Sequence, residues 1–449
     1  MKTIRSVKEF LGTEYKSYAE YVLFSRAIPS AIDGFKPTQR KVAHVASNTW
    51  KESSEKPLKV FQLCGKVASE AMYFHGDASL SSAIITMTQA FKNSMPIFDG
   101  VGQFGSLRSP EAGAPRYVGV KLNSNFRLLY KDDNLLEGQL EEGEAIEPKY
   151  FLPIIPTVLL NGGSGIAVGF ASNILNRKPS DLINACLDVL AGKQVKTLNP
   201  WNREFQGTFS QVLGTQLSWV ASGKYTVKNT TTVEVTEIAP SLTYEKYEAH
   251  LDSLVEKGVL SSYDDNSSGK VHYVLKFPRK VLETLISKGK LEDTLKIHER
   301  DTENLTVLDE NKKLKIFTCA EDIVKYFVEF RLGFYQKRKD LLIKNLKEEL
   351  LVLNNRTRFI QAILSGELIV NAQKKKDVES NLSNMNFAKQ DKSFSYLTGM
   401  PILTLTQEKI DDLQKQTKQK EDELKKIESA SPAQLYKDDL LELRSKIDA

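Results

Sequence analysis

Cysteine is scarce in this chain, and long apolar runs are absent. Cys64, Cys186 and Cys319 lie far apart and form no CxxC pair. The sequence therefore offers neither a disulfide framework nor a zinc site. No run of about 18 apolar residues occurs, and the N-terminus lacks an apolar core of signal-peptide length. We expect a protein of a reducing, cytoplasmic setting with no membrane partner.

Motifs that bind nucleotides or catalytic metals are also missing. The glycine-rich stretch NGGSGIAVGF (161–170) lacks the Lys-Ser/Thr pair of a phosphate loop, so we interpret it as a close-packed turn and not as an ATP site. The sequence contains no HExxH pair and no DxD cluster, and its five histidines are scattered. We predict no metal site built by this chain alone.

The composition is that of an ordinary folded protein. Of 449 residues, 41% are hydrophobic and 27% are charged, which allows substantial cores. This length favours roughly three domains of about 150 residues each. The net charge of +5 is unevenly distributed, because residues 1–130 carry 17 Lys and Arg against 10 Asp and Glu, whereas residues 131–150 carry 2 against 7. The basic surplus either keeps the protein soluble or binds a polyanion, and charge alone leaves both open.

Periodicity divides the chain into regions. Residues 1–155 alternate helical patterns, such as SYAEYVLFSRAI and SSAIITMTQAF, with Gly and Pro turns, which predicts an α+β unit. We place a second domain at 156–320. It combines strand patterns such as KYTVKNTTTVEVTEI and KVHYVLKF with helices such as SLTYEKYEAHLDSLVEKG, which predicts a mixed α/β fold.

Two long helices are predicted in the last third, in an arm made of residues 321–370 and 405–449. The first has a heptad seam formed by Leu346, Leu350, Leu353, Ile360 and Leu364. The second runs from Gln407 to about Ser429, and the two could pair antiparallel.

Residues 371–404, between these helices, are predicted to form a small globular tip. In a monomer its apolar side chains would be poorly buried, so we favour a dimerisation tip over a local hairpin without a partner. These side chains are Phe394, Tyr396, Leu397, Met400, Ile402 and Leu403.

Two motifs of the first region suit contact with phosphate. In RAIPSAIDGFKPTQRKV, a Pro-x-x-x-Asp-Gly turn and the start of a helix would present cations to a nucleic-acid backbone. These cations are Arg26, Lys36, Arg40 and Lys41. In YFHGDASL, His75 precedes Asp77, which we predict to be a helix N-cap. A histidine at such a position is more often structural than functional.

Arg116 and Tyr117 are neighbours in APRY, where a Pro-rich loop enters a predicted strand. A lone tyrosine usually packs in a core. A phenol, with a pKa near 10, needs an adjacent cation to favour phenolate and to hold a phosphate under attack. A tyrosyl phosphate ester keeps the energy of the broken phosphodiester, because phenolate is a competent leaving group. The pair therefore suits reversible cleavage of a nucleic-acid strand.

Five motifs together resemble one enzyme family. RAIPSAIDGFKPTQRKV, FHGDASL, GQFGS, APRY and NGGSGIAVGFASNI occur in the order and at distances similar to those of the breakage-reunion (A-type) part of type IIA DNA topoisomerases. The resemblance extends over almost the whole chain and is greatest to the bacteriophage type, in which this region is a separate subunit. NPWNREFQGTF resembles the start of the tower domain, and EFRLGFYQKRKDLL and YLTGMPILTLTQEKI resemble the coiled-coil arm and exit gate.

The resemblance implies an α+β multidomain fold. A winged-helix DNA-cleavage domain preceded by an N-terminal arm would occupy residues 1–155, and a mixed α/β tower domain residues 156–320. A long antiparallel coiled coil would carry a small exit-gate dimerisation domain at 371–404.

The resemblance also implies roles for single residues. Tyr117 would attack a backbone phosphate and form a 5′-phosphotyrosyl link, with Arg116 stabilising the transition state. Ile174 would wedge between base pairs and bend the DNA, whereas from the residues alone it would be a buried side chain under the glycine turn. The residues implied to contact DNA are Arg26, Lys36, Arg40 and His75, to which the basic cluster adds Lys41.

Family catalysis needs Mg²⁺ held by a Toprim domain and an ATPase module that drives strand passage, and neither is visible in this sequence. The resemblance therefore implies a large partner subunit that carries both modules and binds Mg²⁺ and ATP. This chain would form a homodimer through the exit gate, act on double-stranded DNA, and serve relaxation or decatenation. Its implied location is the cytoplasm, which is that of the host if a phage encodes the chain.

Two other classes of protein remain open. A non-enzymatic coiled-coil protein that organises DNA would explain the basic region, the long helices and the tip, but it would not need Arg116 and Tyr117. A tyrosine recombinase or nickase would typically supply several Arg and His residues, or a His-rich metal motif, within one chain.

Overall fold

A computed structural model describes residues 6–51, 56–370, 373–390, 392–401 and 404–447. The chain divides into two compact units, one formed by Met1–Arg331 with Asp439–Ala449 and the other by Leu332–Asp438. Finer boundaries between a cleavage domain and a tower domain stay predictions. Within the described ranges, none of the helices combines the length and the hydrophobicity needed to cross a bilayer.

Helices and strands alternate through the first unit, and helices dominate the second. The π-helical segments are Leu11–Tyr15 and Leu23–Ala27, and a 3₁₀ turn covers Asp133–Leu135. The α-helices are α1 (Val7–Phe10), α2 (Lys16–Val22), α3 (Pro37–Thr49), α4 (Val60–Glu70), α5 (Asp77–Thr88), α6 (Phe126–Leu129), α7 (Thr157–Leu160), α8 (Pro179–Leu190), α9 (Tyr244–Glu256), α10 (Val281–Ser287), α11 (Leu291–Leu295), α12 (Ala320–Leu364), α13 (Lys375–Asn384), α14 (Ser395–Thr398), α15 (Gln407–Ser429) and α16 (Pro432–Ile447).

All the strand pairs are antiparallel, in the sheets β1-β3-β2, β10-β11-β13-β12 and β14-β9-β8 and the pairs β4-β5, β6-β7 and β15-β16. The strands are β1 (Leu58–Lys59), β2 (Phe98–Val101), β3 (Gly119–Leu122), β4 (Gln139–Glu141), β5 (Glu144–Ile146), β6 (Gly163–Ile166), β7 (Ala171–Ile174), β8 (Thr208–Gln211), β9 (Ser218–Ser222), β10 (Lys224–Val227), β11 (Thr232–Glu237), β12 (Ser262–Asp265), β13 (Tyr273–Lys276), β14 (His298–Thr302), β15 (Leu305–Leu308) and β16 (Leu314–Phe317).

Helices α3, α4 and α5 pack on one another beside the sheet β1-β3-β2. Helix α4 shows why, since its buried residues Val60, Leu63, Cys64 and Val67 recur at the three- and four-residue spacing of one helix face. Central strand β3 buries Val120 completely. This packed group is the rigid base from which the loop before β3 projects.

The sheet β10-β11-β13-β12 and helix α9 form a mixed α/β layer, as predicted. Strand β11 alternates strictly, with Val233 and Val235 fully buried between more exposed neighbours. These two valines lie opposite Leu275 and Tyr273 of β13. The strand and helix patterns of the sequence are confirmed here. Strand β11 ends at Glu237 and helix α9 begins at Tyr244, so a short connection joins them.

The second unit pairs α12 with α15. Lys347 Nζ lies 3.0 Å from the Glu428 carboxylate, and Lys420 Nζ lies 3.0 Å from that of Glu349. Because the residue numbers run in opposite directions along the two helices, the helices are antiparallel. The predicted extent of α15 is confirmed, but Leu364 is 51% exposed and does not continue the buried seam.

The prediction that the apolar residues of the tip are poorly buried in a monomer is wrong for part of its set. Phe394 and Leu397 are buried inside the unit, at 2% and 0% exposure, in a cluster with residues of α12 and α13. Tyr396 and Met400 are partly buried against the same cluster, and Ile402 and Leu403 lie outside the described residues. The tip therefore has its own small core, and the dimer needs other support.

Candidate active site and nucleic-acid interface

The Arg116-Tyr117 pair lies in the last turn of a long loop that joins β2 to β3. The amides of Tyr117 and Val118 both donate to the Ala114 carbonyl, at 2.8 and 3.3 Å, and close this turn. Val118 is 2% exposed, so it anchors the chain in the core just before the strand begins. The side chain of Tyr117, the residue before Val118, lies at the surface.

Tyr117 is 69% exposed, which is unusual for a tyrosine in a folded domain. The Arg116 guanidinium carbon lies 5.1 Å from the centre of the Tyr117 ring, within the range of a cation–π contact. Lys59 Nζ donates to the Tyr117 carbonyl at 2.6 Å and brings a second cation to this turn. Lys59 was not predicted from the sequence, because no local pattern links it to a residue so far along the chain.

His75 joins the predicted cation Arg26 in an exposed cluster. The Arg26 guanidinium donates to His75 Nδ1 at 3.2 Å, and His75 Nε2 lies 3.2 Å from the Tyr21 hydroxyl. A guanidinium can only donate, so Nδ1 accepts and a neutral imidazole carries its proton on Nε2. Tyr21 also lies under the Arg26 guanidinium, at 5.6 Å. Tyr21 was not predicted either, although it lies just over one helical turn before Arg26.

The predicted N-cap at Asp77 is wrong by one residue. Helix α5 begins at Asp77, and its N-cap is Gly76 with φ +88°. A glycine suits this position because other residues rarely adopt a positive φ. His75 therefore precedes the helix by two residues, on an exposed turn.

Arg40, for which a DNA contact stays a prediction, is buried and paired in this structure. It is 7% exposed and binds Asp33 through two hydrogen bonds, Nε to Oδ2 at 2.7 Å and Nη2 to Oδ1 at 2.9 Å. A bidentate pair of this kind commits Nε and Nη2 of Arg40 to Asp33.

Lys41, for which a DNA contact also stays a prediction, is bound by acceptors of the protein. Its Nζ donates to the Ala71 carbonyl at 2.7 Å and to the Glu147 carboxylate at 3.0 Å. Only 14% of the side chain is exposed. Its partners come from the end of α4 and from the acid-rich residues 131–150, and the local sequence around Lys41 does not reveal them.

Lys36 lines a cavity of about 640 Å³ together with Lys92 and Lys246. Its Nζ donates to the Ser164 carbonyl at 2.8 Å, which leaves two donors for a ligand. Burial lowers the pKa of Lys36, and desolvation lowers that of Lys92. Among the described residues that line the cavity, Asp33 is the one carboxylate, and Arg40 binds it. The cavity wall therefore favours an anion.

Ile174 is buried in this structure, and its wedge role on DNA stays a prediction. It is 2% exposed, in β7 opposite Gly163, which matches the alternative of a buried side chain under the glycine turn. The exposed apolar residues of this hairpin are Ile166, at 89%, and Phe170, at 40%. Gly165 allows the hairpin to lie close to the chain before α3, because a Cβ there would come within 1.9 Å of the Ala27 carbonyl oxygen.

Similarity to known proteins identifies the family of this chain. The family model of the A-type chains of DNA gyrase and topoisomerase IV matches residues 26–441. The chain belongs to this family. The motif matches made from the sequence are therefore confirmed as a family resemblance.

Relatives of this topoisomerase chain differ in length. This chain is 33% identical to the DNA topoisomerase medium subunit of Enterobacteria phage T4, over 98% of its own length and 99% of that protein. It is 35% identical to DNA topoisomerase 2 of Arabidopsis thaliana, over 82% of this chain but 26% of that protein. The chain thus spans about a quarter of the length of the plant enzyme.

A solved structure agrees with these relatives. The DNA-binding, cleavage and re-ligation domain of Plasmodium falciparum topoisomerase II is 32% identical, with a TM-score of 0.85, over 98% of this chain and 64% of that one. These homologues support neither a non-enzymatic DNA-organising protein nor a tyrosine recombinase or nickase.

Proposed function

We propose that this chain is the DNA breakage-reunion subunit of an ATP-dependent type II topoisomerase, which cuts both strands transiently for relaxation or decatenation. The observation that carries the proposal is the exposed Tyr117 phenol with the Arg116 guanidinium 5.1 Å from its ring, in a member of this family. A tyrosine kept at 69% exposure beside a cation is available to a large substrate, whereas a packing tyrosine is not.

The reaction uses the Tyr117 hydroxyl as a nucleophile. Its oxygen attacks the phosphorus and loses its proton, the bond from phosphorus to the 3′-oxygen breaks, and the 3′-hydroxyl leaves. The product is a 5′-phosphotyrosyl ester, and attack by the 3′-hydroxyl reverses the step. Arg116 stabilises the charge that develops on the phosphate oxygens.

The side chains proposed to contact DNA are those whose N–H donors reach solvent or the cavity lined by Lys36. Arg26 and His75 form the exposed cluster, and Lys36 keeps two donors free beside Lys92 and Lys246. Arg40 and Lys41 are left out because carboxylates already bind them. Neutralising phosphates in this way favours DNA binding through the release of counterions.

The Mg²⁺ and ATP of the reaction would belong to a large partner subunit with Toprim and ATPase modules. Across the described residues, no group of three or more His, Cys, Asp or Glu side chains is arranged to hold a metal ion. The described residues therefore offer no metal centre of their own, and the roles given to Tyr117 and Arg116 are those of their side chains toward the phosphate.

The architecture proposed for the assembly follows the family. Helices α3–α5 with the sheet β1-β3-β2 would form a winged-helix cleavage domain, and the sheets from β8 onward a tower domain. The pair α12 and α15 would form a coiled-coil arm that ends in an exit-gate dimer interface. The subunit would act on double-stranded DNA in the cytoplasm, that of the host if a phage encodes it.

Trapping covalent complexes tests this function. The complete complex with its partner subunit, DNA and Mg²⁺ is quenched with denaturant, and the residue joined to DNA is mapped. We expect a 5′ link to Tyr117 that Tyr117→Phe abolishes while DNA affinity is unchanged. A link at another residue, a 3′ link, or full trapping by Tyr117→Phe would refute the proposal.

A further inference from the structure

Arg108 lies in the loop that carries Tyr117, yet its side chain is directed into the protein and is only 7% exposed. Its Nη1 donates to the carbonyls of Ala239 and Leu242, both at 2.7 Å. Its Nη2 donates to the Ile238 carbonyl at 2.7 Å and to the Glu237 carboxylate. One guanidinium thus joins the loop to four residues between positions 237 and 242, at and just after the end of β11.

The backbone around Arg108 strengthens this attachment. The Tyr244 amide donates to the Arg108 carbonyl at 3.1 Å, and the Leu107 amide donates to the Glu204 carboxylate at 2.7 Å. Glu237 ends β11 and Tyr244 begins α9. The loop is therefore fastened to the connection between a strand and a helix of the mixed α/β layer, here called the 237–244 segment.

At the exposed end of the loop, the Lys59 ammonium donates to the Tyr117 carbonyl at 2.6 Å. The bonds that hold the middle of the loop involve neutral groups. Gln89 donates to the carbonyls of Phe104 and Pro110, at 2.9 and 3.1 Å, and the Gly113 amide donates to the Gln103 carbonyl at 2.9 Å. Bonds between neutral groups are about half as strong as charge-assisted ones. The Arg108–Glu237 pair, with side chains 8% and 4% exposed, is therefore the buried, charged anchor of the loop.

We propose that Arg108 is a positioning residue for DNA cleavage, which holds the Tyr117 loop in place by fastening it to the 237–244 segment. This inference rests on the proposed function. Since cleavage requires the phenol within about 3–3.5 Å of the phosphorus and in line with the leaving oxygen, a loop free to shift by about 1 Å loses much of its rate. Displacement of the 237–244 segment would be passed to Tyr117 through the same bonds.

Two variants separate positioning from stability. Arg108→Lys keeps the charge but loses the fork of donors, and Glu237→Gln keeps the side-chain volume and an accepting oxygen. Arg331→Lys is the matched control, because Arg331 is also buried, bonds to Asp132 and to the Pro153 carbonyl, and belongs to the long helix α12. Each is assayed in the complete complex with the partner subunit, Mg²⁺ and saturating DNA.

We expect the fraction of DNA held covalently to fall about 10-fold or more in Arg108→Lys, with unchanged DNA affinity. Glu237→Gln changes it in the same direction, and Arg331→Lys leaves it at the wild-type level even where it lowers the melting temperature. Hydrogen exchange on the free chain gives a second readout, with faster exchange at the Gly113 and Tyr117 amides and no change at Val120.

The inference is overturned if a folded Arg108 or Glu237 variant cleaves like the wild type at saturating DNA, if the control loses as much cleavage, or if loop exchange is unchanged. Should Arg108→Lys not fold, Glu237→Gln decides alone. Failure of the proposed function is distinct, since the wild-type complex itself would then form no link to Tyr117.

Discussion

Arg40 and Asp33 form a buried, two-bond ion pair at the turn that leads into α3. Both oxygens of Asp33 accept further bonds, from the amides of Phe35 and Phe151 at 3.1 Å each. The pair thus joins the turn, helix α3 and the segment that follows the β4-β5 hairpin. A cation that the sequence places among predicted DNA contacts is buried in this structure.

Arg40→Gln is expected to lower the free energy of unfolding by about 3–5 kcal/mol, because it leaves Asp33 as a buried carboxylate without its cation. Denaturant unfolding of the chain measures this. Lys36→Gln, four residues earlier at the cavity, is the matched comparison and should change stability much less. A stable Arg40→Gln protein with weakened DNA binding would contradict the structural role.

Arg26→Gln should weaken DNA binding without lowering the melting temperature, since the Arg26 side chain is exposed and its neighbours are His75 and Tyr21. Loss of one phosphate contact reduces the slope of log affinity against log salt by about 1. Titrations at several salt concentrations check this. The control is Lys66→Gln, which changes a partly exposed residue of α4 paired with Glu70 and should leave the slope unchanged.

Arg116→Lys keeps the charge beside Tyr117 but removes the planar fork, so DNA affinity should stay close to that of the wild type. Cleavage should fall about 100-fold, the order seen when one donor to a developing anion is lost. Rapid-quench measurements of the covalent complex give the rate. Glu111→Gln, exposed in the same loop, should cleave normally, and normal cleavage by Arg116→Lys would remove Arg116 from the site.

Ile174 and Ile166 make a direct contrast within one hairpin. Ile174→Ala should cost about 2–5 kcal/mol of stability, because it removes a buried side chain, whereas Ile166→Ala should change stability by about 0.5 kcal/mol or less. Denaturant unfolding and DNA bending, followed by end-to-end energy transfer, are measured together. Lost bending in a stable Ile174→Ala protein would restore the wedge role.

Acid should destabilise the first unit partly through His250. Burial lowers the pKa of this imidazole, whose Nε2 donates to the Thr294 carbonyl at 2.8 Å. The imidazole has a pKa of about 6.5 in the unfolded chain, so the unfolded chain takes up the proton first as the pH drops. The contribution of His250 to stability is therefore fully present above about pH 6.5 and is lost as the pH falls further. Unfolding at pH 7.5, 6.5 and 5.5 should show a shallower decline in His250→Gln, and parallel curves would exclude this contribution.

Much of the architecture follows from local pattern. The strands around Val233 and Tyr273 and the helix Gln407–Ser429 were predictable because alternation and heptad spacing show which face of an element is buried. Arg116 and Tyr117 could be proposed as a pair because they are adjacent in the chain and the proposed chemistry uses both.

The sequence by itself determined the order of elements and pointed to Tyr117 as the proposed nucleophile, since both depend on neighbours along the chain. Only the tertiary structure decided which cations remain available: Lys41 meets Glu147, Lys36 meets the Ser164 carbonyl, and Arg108 meets Glu237. The physical reason is that a cation pairs with whatever acceptor lies within about 3 Å after folding, and those acceptors lie 100 or more residues away in sequence.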